Sequence, residues 1–246
     1  MRYLSPVVSI LIYLIASHTH AAIKIEYVDT NAKIAVVKII NKIEYEEDEL
    51  FKVALEKLAD ENYTIKLNSI VLNSAGGNAN AAINIGETIR AKKLNTYVSP
   101  SAICTSACVY VFIGGVVRMA YGLIGVHRST FNETIASNKI HKAISNSDNR
   151  IESHVKSMGV SMLLLDAIQM TPNWLRRELT PLEKTRWGVH GVDRMYEELW
   201  LRNATSDLGY SYSDIENQYH KFIIKCFKKA THFEIDPLNC VLNSKN

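Results

Sequence analysis

The chain has 246 residues, of which 47% are hydrophobic and 22% charged, with 11 glycines, 5 prolines and a formal net charge of +3. This length is ample for a buried core, and the ordinary composition excludes a disordered, collagenous or repetitive protein. The small net charge, without basic runs interleaved with aromatic residues, argues against a nucleic-acid-binding surface.

The N-terminus has the pattern of a secretory signal. Arg2 precedes an apolar run over Val7–Ile15, and small residues follow that run. The run is too short for a membrane span of about 20 residues. We therefore predict that residues 1–21 are a cleaved signal peptide and that the mature chain starts at Ala22 or Ile23. An uncleaved N-terminal anchor is the alternative. Either way the protein is expected to work outside the cytoplasm, in the periplasm or as a secreted protein, with no other membrane span.

The four cysteines fall into two close pairs, Cys104/Cys108 and Cys226/Cys240. In an oxidising compartment an even number of cysteines usually forms disulfides, and local pairing is the simplest of the three connectivities. A zinc site would need two more ligands at compatible spacing, and none is obvious among the candidate histidines His141, His154 and His190. We expect no metal site.

In chain order, the apolar patterning predicts alternating strands and helices. Strands are expected at Lys33–Ile40, Ser69–Leu72, Thr96–Val98 and Leu123–Val126, with a last strand starting at Trp187–Val189. Helices are expected at Glu47–Leu58, Asn78–Ala91 and Ala107–Ile113, and over much of the polar segment Asn132–Met162. This alternation predicts an α/β domain over residues 22–195, with a mostly parallel sheet and right-handed crossovers. Residues 196–246 are expected to form a helical C-terminal appendage.

Three short segments could carry chemistry. The glycine turn Ser74-Ala75-Gly76-Gly77 follows a predicted strand, Ser106 stands among small residues where a helix is expected to begin, and His127 follows an apolar strand. A serine at a strand-to-helix turn can present a nucleophilic hydroxyl beside free backbone N–H groups. The histidine could act as its base if the fold brings the two strand ends together. The alternatives are a helix cap for Ser106 and a structural side chain for His127.

Together, these segments and the doublet Gly114-Gly115 resemble the ClpP/crotonase superfamily over about residues 33–195. The serine peptidase side of the superfamily, which includes the Clp protease proteolytic subunit and its secreted relatives, is the best match. The Cys-x-Ser-x-Cys variant with Arg118 and an N-terminal signal resembles a group of predicted periplasmic members. The resemblance implies a fold of stacked βαβ units.

The resemblance also implies roles for four residues. Ser106 would be the nucleophile and His127 the general base, and the backbone N–H groups of Gly77 and Ala107 would form the oxyanion hole. The expected substrate is a peptide or an unfolded protein, with no cofactor, and a homo-oligomer is a reasonable expectation. Close backbone approach at a glycine pair and a free N–H at a helix N-terminus support this arrangement on physical grounds.

Two positions depart from the superfamily pattern. Ala75 stands where the glycine turn normally has proline, and Arg176 stands where the triad acid is expected. Without its orienting acid a serine–histidine dyad would be slower, because the acid fixes the imidazole tautomer and stabilises its charged form. Substitutes for the acid could be Asn173, Glu178 or Asp166, and the sequence does not choose among them.

Two other readings stay open. A serine–lysine dyad would use Lys139, Lys142 or Lys156 as the base, and His127 would then be dispensable. A non-catalytic binding or scaffold protein would have kept the fold and lost the acid. Surface or structural positions are expected for the remaining histidines, which are His141, His154, His190, His220 and His232.

Overall fold

The computed structural model describes residues 22–129, 137–209 and 211–217. In this part of the chain the strands are β1 Ile23–Asp29, β2 Ile34–Ile43, β3 Thr64–Gly77, β4 Asn95–Val98, β5 Ile103–Thr105, β6 Val117–Ala120, β7 Leu123–Val126, β8 Arg177–Glu178 and β9 Gly191–Val192. The helices are α1 Glu47–Asp60, α2 Ala79–Ala91, α3 Cys108–Ile113, α4 Ser137–Ser157, α5 Leu163–Met170, α6 Pro181–Arg186 and α7 Arg194–Leu208.

The long strand β3 divides the sheet into two branches. Its middle pairs with β4, where Ile70 lies beside Thr96, and its C-terminal part pairs with β5, where Ser74 lies beside Cys104. One branch continues from β4 to β6 and β9, and the other from β5 to β7 and β8. The pairings from β2 through β7 are parallel, and β1, β8 and β9 add antiparallel edges. The predicted α/β class with a mostly parallel sheet is thus confirmed.

The sequence explains the central elements. The Ile34–Ile43 run is rich in β-branched residues and largely buried, as parallel strands covered on both faces are. Helix α2 begins after Asn78, whose side-chain oxygen accepts a hydrogen bond of 3.0 Å from the Ala81 N–H. The main core joins the sheet to α1, α2 and α3, and its fully buried side chains include Ile39, Phe51, Ile70, Leu72, Ile85 and Phe112.

Four strands were not predicted from the sequence, namely β1, β5, β6 and β8. β5 has only three residues and lies where the sequence predicts the approach to a helix. The helix itself, α3, starts at Cys108, one residue later than predicted. β6 reads Val-Arg-Met-Ala, and its central arginine interrupts the apolar run that would indicate a buried strand. The segment Ser74–Gly77, interpreted as a turn, is the end of β3.

The predicted last strand at Trp187–Val189 is wrong. Trp187 ends α6, since its N–H donates to the Glu183 carbonyl at 2.9 Å, and Gly188 has a positive φ of 73°. The chain reaches the sheet only at β9. A helical turn closed by a glycine resembles an apolar strand start when only three residues are read.

The hydrogen bonds of Arg118 explain how a charged residue can lie in the buried strand β6. The side chain is 1% exposed and donates hydrogen bonds to the carbonyls of Ile113, Met158 and Gly188 at 3.0, 2.5 and 2.6 Å. It also forms an ion pair of 3.2 Å with the buried carboxylate of Asp193. One buried guanidinium thus joins the ends of α3, α4 and α6 to the start of α7.

The C-terminal predictions are only partly covered by the described residues. Within the predicted helical segment 132–162, the helix α4 occupies Ser137–Ser157. Helix α7 runs through the proposed boundary at residue 195, and residues 212–217 are helical, so the division into domain and appendage stays a prediction. No helix in the described ranges is long and apolar enough to cross a membrane. Outside the described residues or side chains lie Lys139, His141, Lys142, His220, Cys226, His232 and Cys240.

Candidate active site

Ser106 occupies a strained turn between β5 and α3. Its φ is +56°, in the left-handed region that non-glycine residues seldom adopt. The backbone is held there from both sides: the Ser106 N–H donates to the Gly125 carbonyl at 2.9 Å, and its carbonyl accepts from the Val109 N–H at 3.0 Å. The residue is half-buried among buried neighbours. Strain of this kind at a single accessible serine is typical of a nucleophile turn.

Gly76 lies directly against this turn. A Cβ atom at Gly76 would stand 2.7 Å from the Ser106 Cβ, 2.7 Å from the Thr105 carbonyl oxygen and 2.8 Å from the Ala107 nitrogen. The φ of Gly76 is +99°, so the position needs glycine for its conformation as well as for space. The Thr105 hydroxyl fastens the two segments by donating to the Ala75 carbonyl at 3.1 Å.

Two backbone N–H groups could face a substrate beside Ser106. Ala107 stands at the N-terminus of α3, is buried, and its N–H has no acceptor within the described part of the chain. Gly77 is exposed at the end of β3. The N–H of Gly76 is already used, because it donates to the Ser74 hydroxyl at 3.1 Å. The assignment of Gly77 and Ala107 to an oxyanion hole stays a prediction.

A disulfide joins Cys104 to Cys108 and so encloses Ser106 in a ring with sequence separation 4. Both cysteines are fully buried. The predicted local pairing is thus present for this pair. Since the disulfide takes both thiols, neither is free to bind a metal, and no cluster of three or more metal-ligating side chains occurs among the described residues.

His127 follows β7 at the same end of the sheet as Ser106. Thr105 of β5 pairs with Gly125 of β7, so the residues after these two strands are neighbours. The His127 Nδ1 lies 2.9 Å from the Arg128 carbonyl oxygen. A carbonyl oxygen can only accept, so this hydrogen bond places the proton on Nδ1 and, in a neutral ring, leaves Nε2 as a base. No hydrogen bond joins Ser106 to His127 within the described residues.

Arg176 lies beside the end of β7. In the antiparallel β7–β8 ladder Val126 pairs with Arg177, so Arg176 and His127 each lie one residue beyond the last pair of the ladder. The Arg176 Cγ lies 2.9 Å from the position a Cβ on Gly125 would occupy. The three acid substitutes considered from the sequence are exposed, and none is hydrogen-bonded to His127 in the described structure. These residues are Asp166, Asn173 and Glu178.

The other described histidines have structural surroundings. His154 is buried on α4, with Nε2 2.9 Å from the Tyr110 carbonyl oxygen, and burial lowers the pKa of His154 to about 4. The His190 Nδ1 accepts a hydrogen bond of 3.1 Å from the Ala120 N–H, and burial lowers its pKa as well. Neither histidine is hydrogen-bonded to Ser106 in the described part of the chain.

Two surface cavities lie away from Ser106 and His127. One cavity, of about 390 Å³, is lined by residues that include Arg118 and His190. The other, of about 670 Å³, is lined by residues of α1 and α2 and by Arg150. Neither cavity is lined by Ser106 or His127.

Sequence reasoning missed two features of the site. The Arg128 carbonyl at His127 is a backbone group, and no residue type signals it. The role of Gly76 as a contact surface for Ser106 could have been inferred from the glycine pair only with the pairing of β3 and β5 known.

Three solved structures are similar to part of this chain. A serine-to-alanine mutant of the 1510-N membrane-bound stomatin-specific protease is 23% identical, with a TM-score of 0.44, over 62% of this chain and 75% of that chain. A second mutant of that protease, in complex with a substrate peptide, is 22% identical, with a TM-score of 0.43, over 61% and 72%. A mutant of ClpP1 from Listeria monocytogenes is 19% identical, with a TM-score of 0.45, over 65% and 90%.

No protein-family model matches the chain, and no curated protein is significantly similar to it.

Proposed function

We propose that the protein is an exported serine hydrolase, a peptidase that forms an acyl-enzyme on Ser106 with His127 as the general base. The observation that carries the proposal is the left-handed backbone of Ser106, tied by a hydrogen bond to the strand that leads to His127. An ordinary helix cap needs no positive φ, because cap residues usually have extended backbone. Because Glu46 before α1 also has a positive φ, of 71°, the proposal rests on the φ of Ser106 together with its hydrogen bond to the strand that precedes His127.

In the proposed reaction the Ser106 hydroxyl attacks the carbonyl carbon of a peptide bond. His127 takes the hydroxyl proton on Nε2 and then gives it to the leaving amine. The oxyanion of the tetrahedral intermediate would lie between the N–H groups of Gly77 and Ala107. Removing one such donor typically costs about 10²–10³ in rate. Water then releases the acyl group by the same steps in reverse.

The Arg128 carbonyl supports His127 as a base without a carboxylate. It holds the proton on Nδ1, which is the tautomer that general-base catalysis at Nε2 requires. A neutral carbonyl stabilises an imidazolium less than a carboxylate does. We therefore expect a slow enzyme that acts on short or unfolded peptides. We also propose, from the resemblance to the superfamily, that the protein forms a homo-oligomer.

One observation favours a second function, that of a non-catalytic binding or scaffold protein. Arg176 stands where the resemblance to the superfamily expects the triad acid, one residue beyond the end of the β7–β8 ladder. A protein that had lost catalysis would keep the fold and tolerate this cation. The serine–lysine dyad has less support in the described part of the chain: Lys156 is exposed near the C-terminal end of α4.

Hydrolysis of an unfolded protein and of a short activated peptide ester tests the proposal. We expect activity in the mature chain with its disulfide intact, and a loss of about 10²–10⁴-fold in Ser106→Ala and in His127→Ala. The control is Ser101→Ala, since Ser101 is an exposed serine of the same segment. Activity that survives in Ser106→Ala would contradict the proposal. Loss in Lys156→Ala but not in His127→Ala would favour the serine–lysine dyad, and a folded but inactive wild type would favour the binding protein.

A further inference from the structure

Glu47 holds a buried carboxylate outside the candidate active site. The residue opens α1 and is 4% exposed. Its Oε1 accepts a hydrogen bond of 2.9 Å from the backbone N–H of Ala22, whereas its Oε2 is buried without a hydrogen-bond partner in the described structure. The helix N-terminus favours the negative charge. A buried carboxylate oxygen without a donor is nevertheless costly, so a further donor is expected at this place.

Ala22 is fixed at the carboxylate by the sheet. The residue is fully buried, and its carbonyl accepts a hydrogen bond of 2.8 Å from the Ile40 N–H. The next residue, Ile23, pairs with Ile39 in the β1–β2 ladder. The nitrogen of Ala22 therefore cannot leave Glu47 without breaking the start of the sheet.

We propose that Glu47 captures a new N-terminus: cleavage between residues 21 and 22 leaves an α-ammonium on Ala22 that forms a buried ion pair with the Glu47 carboxylate. A signal peptidase would add water across the peptide bond, so that residue 21 leaves with the carboxylate and the nitrogen of Ala22 gains two protons. An amide offers one N–H and no charge. An α-ammonium offers three N–H donors and a positive charge, enough for both oxygens of Glu47.

The proposal selects one of the two starts that the sequence allows. A chain that begins at Ile23 would leave Glu47 without its donor, and a chain that begins one residue earlier would keep an uncharged amide at Ala22. Only a start at Ala22 gives the buried carboxylate its counter-charge. The inference rests on the export in the proposed function, but it does not depend on the chemistry of Ser106.

Exporting the full chain from a bacterial host and determining the N-terminus of the purified protein gives the first test. Intact mass and N-terminal sequencing should both give Ala22 as the first residue. A start at Ile23, or at any residue before Ala22, would overturn the proposal. Hydrolase activity is measured on the same sample, so failure of this inference and failure of the proposed function are distinguishable.

The second test compares the thermal stability of two chains, one that begins at Ala22 and one with a single glycine placed before Ala22. Each is made with Glu47 and with Glu47→Gln. We expect the added glycine to lower Tm by roughly 5 °C or more when Glu47 is present, because a buried ion pair is lost. With Glu47→Gln, the two starts should have the same Tm. Equal Tm values for the two starts in the presence of Glu47 would overturn the proposal.

Labelling of the α-amine keeps the test decisive if Glu47→Gln folds poorly. An amine-reactive ester at slightly acidic pH modifies exposed α-amines before lysines. The α-amine of Ala22 should resist modification in the native protein and react after unfolding. Glu49→Gln is the matched control, since Glu49 is an exposed acid in the same helical turn, and it should leave the protection unchanged. Rapid labelling of the native wild type would contradict the proposal.

Discussion

Ser106 donates its backbone N–H to the carbonyl of Gly125 at 2.9 Å, and this bond joins the strained serine to the strand that ends one residue before His127. The two residues follow neighbouring parallel strands, and such strands end at the same edge of a sheet. Ligands of parallel α/β sheets bind at this edge. The bond therefore fixes where a nucleophile and a base could meet.

Gly76→Ala should disable the site. The added Cβ would stand 2.7 Å from both the Ser106 Cβ and the Thr105 carbonyl oxygen, and φ would be strained as well. We expect the rate of covalent labelling of Ser106 to fall at least about 100-fold, because a small displacement of a catalytic group has an effect of that size. Ala75→Gly, at the adjacent exposed residue, serves as the control. Unchanged labelling in Gly76→Ala would show that the turn does not need this contact.

Ser106→Gly should be more stable than Ser106→Ala. Glycine adopts a φ of +56° without strain, and an L side chain costs about 1 kcal/mol or more there. Urea denaturation should give a difference of about 1 kcal/mol in the free energy of unfolding. At Ser101, which has no positive φ, the order should reverse, with alanine more stable than glycine. The same order at both positions would contradict the strain at Ser106.

Acid should destabilise the fold through His154. Its Nε2 faces the Tyr110 carbonyl and its Nδ1 is buried without a partner in the described structure, so the folded protein favours the neutral ring. The pKa falls from 6.5 to about 4 on folding. Below pH 6.5 the unfolded chain therefore binds the proton first, and stability is lost as the pH falls from about 6.5 to about 4.

Denaturation of wild type and of His154→Gln measures this effect. Between pH 7 and pH 4 the wild type should lose about 3 kcal/mol more than the variant, since one pKa unit corresponds to about 1.4 kcal/mol. Glutamine keeps a donor for the Tyr110 carbonyl but does not titrate. Parallel losses in the two proteins would exclude His154 as the cause.

Asp193→Asn should weaken the whole fold. The variant keeps an N-cap for α7, where the carboxylate now accepts from the Tyr196 N–H at 3.0 Å, but it leaves the buried guanidinium of Arg118 without a counter-charge. Breaking a buried ion pair from one side costs about 3–5 kcal/mol. We expect Tm to fall by roughly 10 °C.

Glu198→Gln on the same helix is the control for Asp193→Asn. Its ion pair with Arg202 is exposed, so the Tm should stay close to that of the wild type. A small effect of Asp193→Asn, equal to that of Glu198→Gln, would mean that the carbonyl oxygens around Arg118 suffice to hold its charge.

The sequence predicted the parts of the fold whose patterning is strong. The period and length of the apolar pattern are sufficient to identify β2, the middle of β3, α1 and α2. β5 and β6 are not identified in this way, because three or four residues with a cysteine or a buried arginine carry no strand pattern. Arg118 is buried only because carbonyls from three distant segments and Asp193 meet it. That convergence is a property of the fold and not of any local sequence.

The candidate site was predictable to a similar extent. Ser106, His127 and the glycine turn carry motifs, and the sheet brings their strands to one edge. The sequence has Arg176 where the resemblance expects a triad acid, and that alignment stays a prediction. The hydrogen bond from His127 to the Arg128 carbonyl could not, since every residue has a carbonyl and only the backbone path decides which one is used.

The most direct test of the central claim is the mapping of a fluorophosphonate adduct on the folded mature protein by mass spectrometry. Wild type, Ser106→Ala, His127→Ala and Ser101→Ala are treated side by side. We expect one adduct, on Ser106, that disappears in Ser106→Ala, weakens sharply in His127→Ala and is unchanged in Ser101→Ala. If the folded wild type forms no adduct, or forms it on another serine, Ser106 is not the nucleophile.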